Sequence, residues 1–135
     1  MAKINCSAGK ATGIVTTTRL THASPAAAYS NSVGRWYETY VPDECNGIQK
    51  PINQQFVDNS KYFNVTFAGG WGYFDDKLIK EWQQQSNGRK FVKTRRQLNR
   101  TRFKWPEIWA IVYGPSYGIS TMIYNLEKVS NGMKT

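Results

Sequence analysis

The sequence predicts an all-α protein: a four-helix-bundle-like domain preceded by an extended basic N-terminal arm and one helix. Three observations predict it. Ile108, Val112, Pro115, Ile119, Met122, Leu126, Val129 and Met133 are spaced 4, 3, 4, 3, 4, 3, 4, the seam of an amphipathic helix. Two further stripes, Tyr29 to Tyr40 and Phe56 to Trp82, also keep helical spacing. Residues 1–23, by contrast, are polar and Thr-rich, with few large apolar side chains. Such a segment buries little surface on its own and is expected to order only on assembly.

The elements follow in order. The arm carries Lys3, Lys10 and Arg19, and the first acidic residue of the chain is Glu38. Ile14 to Thr18 has strand propensity, but no alternation extends far enough to define a strand. Ser24-Pro25 opens the first helix, with serine as cap and proline in the first turn. Tyr29, Val33, Trp36 and Tyr40 form its face and Pro42 ends it. Asn46-Gly47 marks a loop. Pro51 opens a helix over 51–68, and a third helix spans 73–86, with Gly69, Gly70 and Gly72 at their joint. A hairpin over 62–74 is the rival reading. Asp75 and Asp76 suit the N-terminus of the third helix through capping and the helix dipole. Residues 89–104 read as a helix with Phe91, Leu98 and Trp105 on one stripe. Trp105-Pro106-Glu107 starts the last helix, which Pro115 kinks near Gly114 and Gly132 ends. Here too a hairpin, over 111–124, is the rival. The resulting units are 1–49, arm and first helix, and 50–135, the bundle.

Composition bounds the function. The chain has 135 residues, 40% of them hydrophobic and 14% aromatic, which suits one modest core and excludes disorder throughout. Its longest apolar stretches are far short of a membrane span. No charged-then-apolar leader pattern opens the chain, so secretion by that route is not expected. Cys6 and Cys45 allow one disulfide or two free thiols, but no zinc site by themselves.

Catalytic signatures are weak. The single histidine, His22, sits in a polar stretch and reads as a solvated loop residue. The adjacent pairs Asp43-Glu44 and Asp75-Asp76 could serve acid/base or metal-assisted chemistry. Neighbours on a helix point about 100° apart, however. Ser7 to Thr12 contains Gly-Lys without the upstream glycine of a P-loop, and Gly69 to Gly72 lacks the dinucleotide spacing. No catalytic residue, metal or cofactor is expected, and the chain reads as not an enzyme.

Charge gives the strongest functional signal. The net charge is +9, from 18 Lys+Arg against 9 Asp+Glu. Arg89, Lys90, Lys93, Arg95, Arg96, Arg100, Arg102 and Lys104 place eight cations within sixteen residues; without them ten cations face nine acids. Five of the eight are arginines, which match phosphate oxygens bidentately. Sequence-independent binding to a nucleic-acid backbone follows as the leading expectation. The candidate contacts are these eight together with Lys3, Lys10 and Arg19 of the arm. The tryptophans could stack on bases but read better as core.

In size, basicity and order of elements, with a polar arm, a helix from Ser24 to Tyr40 and a helical region from Pro51 to Met133, the chain resembles the major coat proteins of filamentous and rod-shaped archaeal viruses, the lipothrixviruses and rudiviruses. The resemblance implies a four-helix bundle and a virion subunit, assembled in the host cytoplasm, that coats double-stranded DNA in a helical filament. It also implies a second copy or a related coat subunit as partner, and membrane contact only through a virion envelope. It shifts the DNA contact toward the arm, Arg35 and the first helices. The alternatives are a small nucleic-acid-binding regulator or RNA-binding module. A nuclease using Asp75, Asp76 or Glu81 with Lys77 or Lys80 ranks behind them.

Overall fold

The structure, a computed structural model, describes residues 10–45, 47–100 and 109–113. Its backbone is built on a parallel sheet, and this overturns the all-α expectation. Four strands, β1 (Gly13–Arg19), β2 (Val65–Gly69), β3 (Lys90–Val92) and β4 (Trp109–Tyr113), are ordered β1-β2-β4-β3. Each neighbouring pair is parallel. Parallel neighbours cannot be joined by a tight turn and need crossovers. Here those crossovers carry helices α1 (Ala23–Ala26), α2 (Ile52–Asn59), α3 (Asp76–Gln84) and α4 (Arg95–Arg100).

The strands explain why periodicity misled. The β-branched run Ile14 to Thr18 does form a strand, so residues 13–19 belong to the sheet and not to a free arm. The chain just after it is core: Leu20 and Thr21 are both 0% exposed. Val65 to Gly69 lies between two strands, and its last four residues are all buried. A strand covered on both faces loses the alternation that would reveal it. The expected helix over 51–68 therefore stops at Asn59, turns through 3-10 geometry at Ser60–Tyr62 and becomes β2. The rival hairpin over 62–74 does not form either, because β2 pairs only in parallel. Residues 90–92 and 95–100 are a short strand and a short helix rather than one long helix. Within the C-terminal seam, Trp109–Tyr113 is a strand. Its other members, and the hairpin alternative beyond Tyr113, lie outside the described residues, as do residues 1–9. The unit boundary at 49/50 falls between β1 and its sheet partner β2.

The helix expected from Ser24 to Tyr40 is one turn only, Ala23–Ala26, with Pro25 in that turn and His22 at its cap. Polar side chains compete for the backbone beyond it. Ser30 Oγ donates to the Ala26 carbonyl at 2.9 Å and Ser32 Oγ to that of Gly34 at 2.8 Å. Of the presumed stripe only Tyr29 is buried, whereas Val33, Trp36 and Tyr40 are 84%, 72% and 64% exposed. The third expected helix is present as Asp76–Gln84, and Asp75 Oδ1 accepts from the Leu78 N–H at 2.7 Å as its cap.

The core lies where α2 and α3 meet the sheet. α2 contributes Ile52, Phe56 and Val57, and α3 contributes Leu78, Ile79 and Trp82. Phe56 meets Tyr29 edge-on at 5.2 Å and Phe74 edge-on at 5.9 Å, and stacks on Phe63 at 6.4 Å. The Tyr29 hydroxyl donates to the Leu20 carbonyl at 2.6 Å. Burial pushes this phenol far above its ordinary range, with the Glu38 charge adding to the shift. Tyr29 therefore stays a donor in alkaline solution and ties the end of β1 to the core.

Candidate functional site

In an open parallel sheet, ligands are taken outside the carboxyl ends of the strands. Here β1 ends at Arg19 and β2 at Gly69, and the two residues are register partners. Gly70 follows with φ of 87°, a left-handed conformation that glycine adopts without strain. A Cβ on Gly70 would also lie 2.9 Å from Arg19 Cβ. Glycine is thus required twice over, and the turn it makes brings Tyr73 under the arginine. Arg19 Cζ stands 5.1 Å from the centre of the Tyr73 ring.

Arg19 is committed to one carboxylate. Its Nε donates to Glu38 Oε2 at 3.0 Å and its Nη2 to Oε1 at 2.8 Å, a bidentate ion pair. Thr21 Oγ1 donates to Oε2 as well. Burial, the largest single influence, works against the Glu38 charge. The hydrogen bonds from Arg19 and Thr21, with the charges of Arg19 and His22, outweigh it and hold the carboxyl below its usual range.

The sign of the pH dependence follows from that depression. A carboxyl whose folded value is lowered contributes stability that is complete above its unfolded value, near 4.5, and is lost as pH falls through the lower folded value. The urea midpoint of the wild type should therefore exceed that of Glu38→Gln by a constant margin above this value. The margin should shrink as the solution becomes more acidic. A margin unchanged into strong acid would show that the Glu38 charge is not what the contacts stabilise.

Glu38 belongs to a loop stitched at many points. The Asn31 N–H donates to Gln55 Oε1 at 2.9 Å, and Gln55 Nε2 returns a bond to the Asn31 carbonyl at 3.0 Å. Gln49 Nε2 donates to Ser32 Oγ at 2.6 Å. The Tyr37 N–H closes a turn onto the Gly34 carbonyl at 3.1 Å. The carbonyls of Tyr37 and Glu38 then accept from the first free N–H groups of α2, those of Ile52 and Asn53, at 2.8 and 3.0 Å. Arg35 sits inside the Gly34–Tyr37 turn and is exposed.

Among the described residues the cations singled out by sequence differ in their surroundings. Arg19 is used by Glu38. Lys10, Arg35, Lys90, Arg96 and Arg100 are exposed, and Lys93 is half-buried. Lys93 lies 5.0 Å from the Trp71 ring centre and 3.8 Å from Asp76. Arg89 is 6% exposed and its Nη1 donates inward to Ser60, Trp82 and Gln85, so it faces no external phosphate. Arg95 lies on α4; Lys3, Arg102 and Lys104 lie outside the described residues. His22 is half-buried, not solvated, and its Nδ1 is shielded without a partner. Cys45 is a free, half-buried thiol, and Cys6 lies outside the described residues. Sequence reasoning missed Glu38, Thr21 and Tyr73. One signal was present: Glu38 is the first acid in the chain, after Lys3, Lys10, Arg19 and Arg35.

Two-metal centres need converging carboxylate and imidazole ligands. Among the described residues no group of three or more His, Cys, Asp or Glu side chains is placed to hold a metal ion. The described residues do not form such a centre by themselves.

Sheet and site define an open parallel α/β architecture with its ligand edge at the strand carboxyl ends. A family model described as alkaline phosphatase matches residues 1–105, and the chain belongs to the alkaline phosphatase family. Its relatives include the tissue-nonspecific alkaline phosphatase of Gallus gallus, 49% identical over 72 residues, which are 51% of this chain and 14% of that protein. Alkaline phosphatase 4 of Drosophila melanogaster is 48% identical over 66 residues, 46% of this chain and 11% of that protein. In fold, the chain is similar to the cold-active alkaline phosphatase of a psychrophilic Shewanella sp., with a TM-score of 0.58 at 15% identity over 98% of this chain and 41% of that one. The chain thus spans about one-seventh of the Gallus gallus relative's length in the alignment. Family membership overturns the resemblance to viral coat proteins. The DNA-coating function, the virion as location and the non-enzymatic reading go with it. High charge and a run of helical spacings carried that resemblance, and neither is specific to a fold.

Proposed function

We propose that this chain works in the hydrolysis of phosphate monoesters as part of an alkaline phosphatase, and that Arg35 is its phosphate-recognising cation. The observation that carries the reading is the family match over residues 1–105. The geometry supports the choice of Arg35. Its loop is anchored to the carboxyl end of β1 through Glu38, three residues on. Its guanidinium is exposed and makes no ion pair among the described residues. Arg19, at the carboxyl end of β1, already has its carboxylate. A planar guanidinium on a rigid loop suits bidentate capture of a phosphoryl group, with little ordering left to do on binding.

Titration with inorganic phosphate tests this. Arg35→Ala should raise the Kd about 10- to 100-fold, the effect of losing charged hydrogen bonds worth roughly 1.5–3 kcal/mol, and should impair p-nitrophenyl phosphate turnover in the same direction. An unchanged Kd would remove Arg35 from the site. Tight duplex-DNA binding with neither phosphate binding nor ester hydrolysis would overturn the whole reading.

A further inference from the structure

We infer that Glu38 is a positioning residue, whose grip on Arg19 and Thr21 at the carboxyl end of β1 sets the Gly34–Tyr37 turn in place and with it the guanidinium of Arg35. This rests on the reading of Arg35 as the phosphate-recognising cation. The ties of the loop described above divide into two groups. Asn31 and Ser32 bond to Gln55 and Gln49, and the Tyr37 and Glu38 carbonyls bond to the start of α2. Those contacts hold the loop to α2 and the segment before it. The Glu38 side chain instead reaches the sheet edge where a ligand would sit, at the same end of β1 that the Tyr29 hydroxyl holds through Leu20.

The receiving end is rigid. Arg19 is the last residue of β1 and its N–H neighbour Leu20 donates to the Gly69 carbonyl at 3.0 Å. Its side chain is boxed between the Tyr73 ring and the backbone of Gly70. Glu38 is the less exposed partner, with 13% side-chain exposure against 29% for Arg19. Two parallel hydrogen bonds fix both the distance and the plane of the carboxylate. A third, from fully buried Thr21, removes its remaining swing. The turn bearing Arg35 is next along the chain. Gly34 lies close under the Trp36 indole, 3.1 Å from where a Cβ would stand. A small displacement of a catalytic or binding group costs much of its effect, so the carboxylate acts on phosphate through Arg35 without touching it.

A double-mutant cycle on inorganic phosphate affinity tests this. Glu38→Gln keeps the shape but puts an amide donor against the guanidinium. It should weaken phosphate binding about 3- to 10-fold when Arg35 is present and leave the Kd unchanged in the Arg35→Ala background. A merely structural ion pair would lower the melting temperature in both backgrounds without moving the phosphate Kd, and that result would overturn the inference. Equal weakening in both backgrounds would overturn it too. If Arg35→Ala alone leaves the Kd unchanged, the reading of Arg35 fails first and the inference falls with it. Should Glu38→Gln not fold, Thr21→Val decides in the same cycle. It removes one hydrogen bond and leaves the ion pair, so a smaller, Arg35-dependent loss is expected, and no coupling would overturn the proposal.

Discussion

Phe56→Ala is expected to cost the protein about 3–5 kcal/mol, the range for truncating a buried phenylalanine. Phe56 is 3% exposed and sits at the meeting point of elements far apart in the chain. It touches Tyr29 from the loop after α1, Phe63 from the turn before β2, and Phe74 before α3. Three rings would lose their common partner. Urea unfolding reads the change as a lower midpoint with the slope retained. A loss below about 1 kcal/mol would mean that the site collapses around the deletion and that Phe56 is not the centre of the core.

Arg89→Ala should cost about 2–4 kcal/mol, for a different reason. The arginine is 6% exposed. Its Nη1 donates to Ser60 Oγ at 2.9 Å, to the Trp82 carbonyl at 2.7 Å and to Gln85 Oε1 at 2.8 Å. One side chain thus closes the end of α3 against the end of α2. Its Cζ also lies 5.2 Å from the Trp82 ring centre, a cation–π contact strengthened by desolvation. Against these gains stands the cost of a buried charge. Burial lowers the Arg89 pKa, and its Nε is shielded without a partner. Truncation would take the charged donor from Ser60 Oγ and the Trp82 carbonyl, hydrogen bonds worth about 1.5–3 kcal/mol each. Those losses outweigh the relief of removing the charge. Arg89→Met, which keeps most of the volume, should recover part of the loss. A stability for Arg89→Ala within about 0.5 kcal/mol of wild type would show that the burial cost cancels the hydrogen bonds.

Local chemistry was readable from the chain, and it held where a few adjacent residues decide the outcome. The β-branched run at Ile14 to Thr18 carried strand propensity, yet the polar composition around it pointed to an arm rather than to the strand that forms there. Asp75 signalled the start of α3, because capping needs only the next three residues. Pro42 and Asn46-Gly47 signalled the loop before α2. The charge pattern singled out the cations of 89–104, whereas Arg35 entered only through the resemblance that the family match overturns. What the chain could not disclose was anything set by pairing at a distance. Phe56, Phe63 and Phe67 have helical spacing, yet they reach the structure from a helix, a turn and a strand.

By itself, then, the sequence determined where α2 and α3 start and where the chain turns before α2. The tertiary structure alone decided that Val65 to Gly69 is a central strand, because only neighbours on both sides and cover on both faces make so short a segment extended. It also decided which cations are spent and which are displayed. Arg89 was drawn inside by the ends of two helices, and Arg19 was claimed by a carboxylate nineteen residues away. Arg35 was left facing solvent on a stitched turn. Hydrogen bonds and ion pairs of this kind depend on separation in space, which the spacing of residues along the chain does not encode.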